Sequence, residues 1–567
     1  MTTIRLTGLT ISKQQLRRTI NKPHWISTAA ATRTATTMSS PVGHRRLGMI
    51  DHHLTSHKPR SYSSSPTPPK QVIIKSTHSI QKKIQTWTYR KPLQPPVLTK
   101  TDGNLRSLTL NRPEALNALN MEMIQDITTQ LLKWENSPAA KIVILKGVGR
   151  AFCAGGDVVS LIKLAESEDS TQQKKPVEFF RAEYTLDSFI AKMSTPVVCL
   201  LDGITMGGGM GLSMHAPFRI ATENTRVAMP ETAIGLFPDV GASFFLPRLD
   251  GELGTYLGLT GTSLYGWGAF QAGIASHYVP SSSLAALEDR LSALSADATH
   301  ERINAAIEEF AADPEEARSS SSSGSSSSPA YDLQGTKRQA IDHCFGQPTL
   351  EKIIAQLEAV QDGHLFNEDP SLKNWANQTI DLIRIRSPSS CLITLMALRE
   401  GKKMSIDDCF AMEMRLAATC CDVKTHPDFV TGVKHLLVNK QKSRPAWRPS
   451  EIDEVDLAAL TTKYFSNRAA SSTHIVRLEG LQTQMKSYHE YPHSKYGLPS
   501  EELIKAFVTG DVKGTSGHLA LTRPELLQLV LGLYNHKIGV QHKLIDVLDR
   551  RTVVKGQNQG FALKWQY

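Results

Sequence analysis

The stretch KIVILKGVGRAFCAGGDV, from Lys141 to Val158, contains the pattern that decides the fold class. Its first seven residues, Lys141 to Gly147, form a continuous apolar and largely β-branched run, which is typical of a buried strand. Gly155 and Gly156 follow, where backbone N–H groups can turn towards a ligand without a Cβ in the way. A helix that begins near Asp157 would place these N–H groups at its positive end. Taken alone, the segment also fits an ordinary strand-to-helix turn.

The same order of elements recurs on both sides of this stretch. A short strand near Leu105 precedes a helical pattern, Pro196 to Gly203 is a second apolar run, and Phe218 to Met229 predicts a third strand. Strands that alternate with helices predict an α/β unit. From Leu249 to Phe310 the pattern becomes mainly helical.

A second glycine-rich turn, ITMGGGMGLSMH from Ile204 to His215, directly follows the second apolar run. Each glycine inside a helix costs about 1 kcal/mol relative to alanine, so another group is expected to need the close approach. The turn lacks the patterns of a P-loop and of a dinucleotide site, and Ser213 does not lie in a GxSxG elbow. His215 has no partner at metal-ligand spacing and is predicted to be structural. Two such turns could each give one N–H to a single carbonyl oxygen, which is an oxyanion hole.

The segment RVAMPETAIGLFPDVGASF, from Arg226 to Phe244, carries two acids in an otherwise small and apolar sequence. Glu231 and Asp239 each come directly after a proline. Acids often occupy this position because they complement the dipole in the first turn of a helix. The alternative is that both acids face a cleft and act chemically. The two glycine turns favour this second interpretation.

The positive charge is confined to the N-terminal part of the 567-residue chain, which has a formal net charge of +10. Residues 1–100 contain 17 Lys and Arg and one acid, whereas the rest contains 47 bases and 53 acids. The first segment therefore resembles a mitochondrial transit sequence, with a disordered basic arm as the alternative. No direct DNA binding is expected of the remainder. No apolar run reaches the length of about 18 residues that a membrane-spanning helix needs.

Composition divides the chain into five predicted segments. They are a transit segment and linker (1–100), an α/β core (101–310), a Ser-rich linker (311–335), a helical part (336–465) and a C-terminal extension (466–567). Residues 471–567 contain 12 bases and 8 acids, and this charge alone favours a solvated helical appendage. The seven cysteines show neither a disulfide framework nor the spacing of a zinc site.

Three motifs in fixed order, FCAGGD, LDGITMGGG and MPETAIGLFPDVG, resemble the crotonase (enoyl-CoA hydratase/isomerase) superfamily. The resemblance is closer still to its 3-hydroxyisobutyryl-CoA hydrolase branch, covers about Leu105 to Phe465, and includes FFRAEY and AMEMRLAATC. It implies an α/β fold, a spiral of ββα units followed by a helical C-terminal region. It also implies an acyl-CoA substrate, which the protein binds through its CoA part, and no metal or redox cofactor.

The resemblance also assigns roles to individual residues. The backbone amides of Gly156 and Gly208 would hold the oxyanion, and Glu231 would attack the thioester or activate water to do so. Asp239 would orient the 3-hydroxyl group and the attacking water, and Glu183 would contact the substrate. In this branch Glu183, Gly208, Glu231 and Asp239 line the substrate site.

Two rival functions remain open at this stage. Enoyl-CoA hydratases carry a second glutamate where this chain has Gly211, so the sequence disfavours a hydratase or isomerase. Some fungal relatives of the hydrolase branch are associated with the small subunit of the mitochondrial ribosome. The segment beyond the hydrolase match is compatible with that role, alone or together with hydrolysis.

Overall fold

The computed structural model describes residues 3–6, 9–12, 94–294, 298–313, 331–465, 486–512, 521–554 and 563–566. Most of the predicted transit segment and of the Ser-rich linker therefore lies outside the described residues. Among those that are described, no helix combines the length and the apolar character that crossing a membrane requires.

The larger sheet of the core is mainly parallel, and its central strands are buried on both faces. Its strands, in chain order, are β3 (Val97–Asp102), β4 (Leu105–Leu110), β5 (Ile142–Gly147), β7 (Val197–Leu201), β9 (Phe218–Ala221) and β12 (His277–Tyr278). Their order across the sheet is β12-β9-β7-β5-β4-β3, and only β3 runs antiparallel to its neighbour. Along β5, Val143 and Leu145 join one hydrophobic cluster while Ile142 and Ile144 join another. This explains why the strand reads as a continuous apolar run.

A smaller sheet lies beside the first and shows the repeating unit of the fold. Its strands are β6 (Ala151–Cys153), β8 (Ile204–Met206), β10 (Arg226–Ala228) and β11 (Leu264–Tyr265), in the order β11-β10-β8-β6. The pairs β5/β6, β7/β8 and β9/β10 each place their first strand in the larger sheet and their second in the smaller one. After each pair the chain turns into a helix, as the predicted spiral of ββα units requires.

The third predicted strand, Phe218 to Met229, is wrong as a single element, because it forms β9 and β10 in two different sheets. Between them the backbone N–H of Thr225 donates to the carbonyl of Thr222, and the side chain of Thr225 accepts from the Thr222 amide. The Thr222 hydroxyl donates to Asp202. These side-chain hydrogen bonds form a turn that apolar periodicity does not reveal.

The remaining elements are mainly helical, as predicted. Those up to residue 465 are α1 (Met121–Glu135), α2 (Val158–Ala165), α3 (Lys175–Ile190), α4 (Gly208–Met214), α5 (Ala242–Phe245), α6 (Leu253–Thr260), α7 (Gly266–Gln271), α8 (Leu284–Ser292), α9 (His300–Glu308), α10 (Gly335–Phe345), α11 (Leu350–Gln361), α12 (Ser371–Ile385), α13 (Pro388–Gly401), α14 (Ile406–Cys420), α15 (Asp428–Val433) and α16 (Leu457–Phe465). The extension adds α17 (Glu501–Thr509), α18 (Arg523–Leu533) and α19 (Val540–Arg551), and two short strand pairs are β1 (Thr3–Leu6) with β2 (Leu9–Ser12) and β13 (Thr552–Val554) with β14 (Leu563–Trp565).

The described part of the extension packs onto the core, which differs from the solvated appendage that its charge suggests. Tyr496 belongs to the same hydrophobic cluster as Phe218 of β9, and the Tyr491 hydroxyl accepts a hydrogen bond from Arg219. The helices α17 to α19 also have a hydrophobic cluster of their own around Phe507. The extension is therefore a small folded layer fixed to the core.

Ion pairs of buried and partly buried side chains join the extension to α10, and we call the following five side chains the extension network: Arg338, Asp342, Glu501, Arg550 and Arg551. Arg551 donates to Glu501 Oε1 and to Asp342 Oδ2, each at 2.6 Å. Arg550 donates to Glu501 Oε2 at 3.2 Å, and Arg338 donates to Asp342 Oδ1 at 3.1 Å. Each charge in the network has an opposite charge beside it, which is the condition for burying ions in a stable fold.

Candidate active site

The two glycine turns meet at the carboxyl ends of the neighbouring parallel strands β6 and β8. Gly155 has a φ of +113°, a conformation that L side chains rarely adopt, and a Cβ placed on it would lie 4.0 Å from the Gly208 amide nitrogen. Gly207, at the start of α4, also has a positive φ of +46°. The glycines thus allow two turns from distant parts of the sequence to touch.

Gly156 and Gly208 lie beside the same side chain. A Cβ placed on Gly156 would lie 4.0 Å from Glu183 Oε1, and one placed on Gly208 would lie 2.3 Å from the same oxygen. Gly208 is the first residue of α4, where backbone N–H groups have no partner inside the helix. Within the described part of the chain, neither amide donates a hydrogen bond to another group. Both therefore remain available to a ligand atom beside Glu183.

Helix α3 contributes Glu183 from a largely buried face. Its Oε1 atom has no hydrogen-bond partner among the described residues. Burial, together with the charge of nearby Asp239, raises the pKa of the Glu183 carboxyl well above its usual value. The side chain thus lies next to both free amides without binding either of them.

Glu231 opens a short 3₁₀ turn (Glu231–Ile234) directly after Pro230. It occupies a first helical turn, as the capping interpretation predicts. Its Oε1 lies 3.1 Å from where a Cβ on Gly207 would be, and Oε2 has no partner among the described residues. Burial and the neighbouring Asp239 raise the pKa of Glu231 well above its usual value. The carboxyl group faces the glycine turn that leads into α4.

Asp239 is held by a hydrogen bond from the residue next to Glu183. The Tyr184 hydroxyl donates to Asp239 Oδ2 at 2.6 Å, and both side chains are buried. Burial raises the pKa of Asp239 to about 6, although the hydrogen bond from Tyr184 acts in the opposite direction. Asp239 therefore titrates close to neutral pH while most exposed aspartates do not.

The turn after Asp239 is strained and is supported from two sides. Val240 and Gly241 have φ values of +57° and +86°. His215 donates from Nε2 to the Val240 carbonyl at 2.9 Å, and the Glu413 carboxylate of α14 accepts from the Gly241 and Ser243 amides at 2.6 and 2.8 Å. Burial raises the pKa of Glu413 to about 8. These contacts fix the backbone that carries Asp239.

The structure brings all the sequence-predicted site residues into one buried region, whereas their chemical roles stay predictions. Sequence reasoning missed two further acids that lie here, Asp187 and Glu413. The spacing of four residues from Glu183 could have indicated Asp187 if a helix had been predicted there. Glu413 lies in the motif AMEMRLAATC, for which no role is predicted from the sequence. Within the ranges given above, no group of three or more His, Cys, Asp and Glu side chains is arranged to hold a metal ion.

Comparison with known proteins places this geometry in a family. Residues 105–465 match the family model for enoyl-CoA hydratase/isomerase. A carnitinyl-CoA dehydratase from Mycobacterium thermoresistibile has a similar crystal structure, with a TM-score of 0.57 and 32% identity. That similarity covers 68% of this chain and 100% of the other.

Two kinds of curated relative match the chain at the same level of identity. The small ribosomal subunit protein mS47 of Neurospora crassa is 42% identical over 467 residues, which are 81% of this chain and 85% of the relative. The mitochondrial 3-hydroxyisobutyryl-CoA hydrolase of Homo sapiens is 42% identical over 360 residues, 63% of this chain and 86% of the relative. With its paired sheets, its two facing glycine turns and the match over residues 105–465, the chain belongs to the enoyl-CoA hydratase/isomerase family.

Proposed function

We propose that this chain is a mitochondrial thioester hydrolase that converts 3-hydroxyisobutyryl-CoA and water into 3-hydroxyisobutyrate and CoA, a step of valine breakdown. The observation that carries the proposal is the position of Glu231, whose carboxyl faces the Gly207–Gly208 turn while Gly211 offers no second carboxylate. Asp239 after the second proline also resembles the hydrolase branch rather than the hydratases. The 42% identity to a hydrolase over most of that relative's length supports the same activity.

In the proposed mechanism the thioester carbonyl oxygen accepts hydrogen bonds from the Gly156 and Gly208 amides. Such donors stabilise the negative charge that develops on this oxygen by about 3–4 kcal/mol each. Glu231 then attacks the carbonyl carbon, CoA leaves as a thiolate, and water hydrolyses the resulting anhydride. Alternatively, Glu231 takes a proton from water, and the hydroxide attacks. Its raised pKa makes the ionised carboxylate a stronger nucleophile in the first route and a stronger base in the second.

Purified full-length protein tests the activity with two substrates. With 3-hydroxyisobutyryl-CoA we expect thiol release, measured with a thiol reagent, and with crotonyl-CoA we expect no loss of the conjugated enoyl absorbance. Turnover of crotonyl-CoA alone would contradict the assignment. A single turnover in ¹⁸O-labelled water distinguishes the two routes. When water attacks the Glu231 carbonyl of the anhydride, the label enters Glu231, whereas the water-activation route places it only in 3-hydroxyisobutyrate.

We further propose that the chain acts in the mitochondrial matrix and associates there with the small ribosomal subunit. The match to the mS47 protein of Neurospora crassa extends over 467 residues, against 360 for the human hydrolase, so it includes more than the hydrolase region. We expect the full-length chain to co-sediment with mitochondrial small subunits at physiological salt. Recovery of all the protein at the top of the gradient would contradict this second role and leave the first intact.

A further inference from the structure

Asp187 is a buried acid that the proposed mechanism does not use. Its side chain is 0% exposed, and within the described part of the chain neither of its carboxyl oxygens has a hydrogen-bond partner. An unpaired buried polar group costs about 1–3 kcal/mol, and more when it is charged. An apolar side chain of similar size would fill the space on α3 without this cost. The carboxyl group therefore needs a role that is realised only when something else is bound.

The position of Asp187 connects it with the site. It lies one helical turn after Glu183 on the same face of α3. A Cβ placed on Gly211 would lie 2.4 Å from Asp187 Oδ2 and 2.7 Å from the Val240 side chain. Asp187 thus lies against α4, one turn beyond the Gly208 amide, and beside the residue that follows Asp239. Burial, with the charges of Glu183, Asp239 and Glu413, raises its pKa well above the usual value.

Asp187 fills the space beside Gly211, so that a glycine is the residue that fits at this position. Any side chain at position 211 would meet the Asp187 carboxyl, so the two residues exclude each other unless Asp187 moves. The absence of a glutamate at position 211 and the presence of Asp187 are therefore linked, because the two side chains would need the same space. At this place the chain has a glycine on α4 and an acid on α3.

Distances along α4 indicate which part of a substrate reaches Asp187. Residues 208 and 211 are separated by about 4.5 Å of helical rise. A hydroxyl on the third carbon of an acyl chain lies a similar distance beyond a carbonyl oxygen held at Gly208. Tyr184 already occupies one oxygen of Asp239, whereas both oxygens of Asp187 are unoccupied. Asp187 is thus suitably placed for the hydroxyl, and Asp239 for the attacking water.

We propose that the two unpartnered oxygens of Asp187 bind the hydroxyl group of the acyl chain, so that Asp187 determines the preference for hydroxyacyl over unsubstituted acyl thioesters. This inference rests on the proposed function and deepens it. A site that hydrogen-bonds a substrate hydroxyl rejects the analogue without it, because its buried polar group is then left unpaired. Asp187 touches the substrate in this arrangement but takes part in no bond-breaking step.

Binding and turnover of a matched substrate pair test the inference in the full-length protein. Affinities for 3-hydroxyisobutyryl-CoA and isobutyryl-CoA are measured by calorimetry in a Glu231→Gln background, where neither thioester is consumed. We expect Asp187→Leu to weaken binding of the hydroxy substrate at least about 10-fold and to leave binding of isobutyryl-CoA unchanged or stronger. Asp187→Ala gives the same comparison if the leucine variant does not fold. Asp187→Asn, which keeps both a donor and an acceptor, should retain most of the discrimination.

Ser188→Ala is the matched control, because it changes the next buried residue of α3. It should leave the ratio of the two affinities unchanged. Equal losses for both thioesters in Asp187→Leu and Asp187→Ala, or no loss for either, would overturn the inference. Absence of thiol release from the wild-type protein, with discrimination in binding intact, would instead overturn the hydrolase assignment and leave the role of Asp187 standing.

Discussion

The active-site acids and the extension network bury the same kind of side chain in opposite ways. Glu231 is 5% exposed and Glu501 is 8% exposed, so burial does not distinguish them. Glu501 accepts from Arg550 and Arg551, whereas Glu231 Oε2 has no partner in the described part of the chain. The two regions therefore differ in whether their buried acids are paired with opposite charges, and not in how deeply these acids are buried.

The pKa values of the two glutamates follow from this difference. Burial raises the pKa of Glu231, and Asp239 raises it further. Burial acts in the same direction on Glu501, but Arg550, Arg551 and Arg338 reverse it and lower the pKa. Ionised Glu501 therefore stabilises the fold, while ionising Glu231 costs stability. Such an unfavourable arrangement of acids is a common sign of a chemical role.

Glu231→Gln should produce the largest effect, and only on activity. Removing the attacking or activating carboxylate should lower kcat by about 10²–10⁴-fold in the thiol-release assay. The free energy of unfolding should not fall, because the ionisation cost of Glu231 is absent below its ordinary pKa of 4.5 and grows as pH rises above it. Unchanged turnover would remove Glu231 from the mechanism.

Arg550→Ala should show the reverse pattern. It leaves Glu501 and Asp546 with fewer opposite charges, and breaking a buried pair costs about 3–5 kcal/mol. We expect this loss in urea unfolding, with kcat of the folded protein retained. The control is Arg384→Ala, whose ion pair with Glu358 is 59% and 45% exposed and is worth at most about 1 kcal/mol. Equal losses in both variants would contradict the comparison.

Glu413→Gln combines features of both regions and should have an intermediate effect. An amide cannot accept from Gly241 and Ser243 as the carboxylate does, so the turn that carries Asp239 should shift. We expect kcat to fall about 10- to 100-fold through misplacement, with a smaller change in KM. A loss of stability with unchanged kcat would mean that Glu413 acts only on the fold.

Tyr184→Phe should have the smallest effect, seen in the pH profile of kcat/KM. Asp239 acts as a carboxylate in the proposed mechanism, so activity should fall as pH drops through about 6. The Tyr184 hydrogen bond lowers this pKa, and its removal should move the acid limb to higher pH. An unmoved limb would assign the titration to another group.

Sequence predicts the parts of this molecule that depend on local pattern. The apolar runs of β5 and β7, the two glycine turns and the acids Glu231 and Asp239 were all predicted, because each follows from neighbouring residues. The division between β9 and β10 was not, since it depends on threonine side chains and on Asp202. The four-residue spacing from Glu183 indicates Asp187 once a helix is assumed there, but the contacts of Glu413 are with residues about 170 positions earlier, which no spacing rule identifies. The extension network was not predicted for the same reason, since its contacts between Arg338 and Glu501 and between Asp342 and Arg551 join residues more than 150 positions apart.

The extension network has a consequence for how the two proposed roles can be separated. Arg338 and Asp342 lie inside the family match, which ends at residue 465, but their partners Glu501 and Arg551 lie beyond it. A chain cut at that boundary would keep the ion pair between Arg338 and Asp342 but would remove Glu501, Arg550 and Arg551, the other charges that surround this pair. Truncation at residue 465 would thus destabilise the catalytic region that it was meant to isolate. A partner that binds the last hundred residues would also hold the active site.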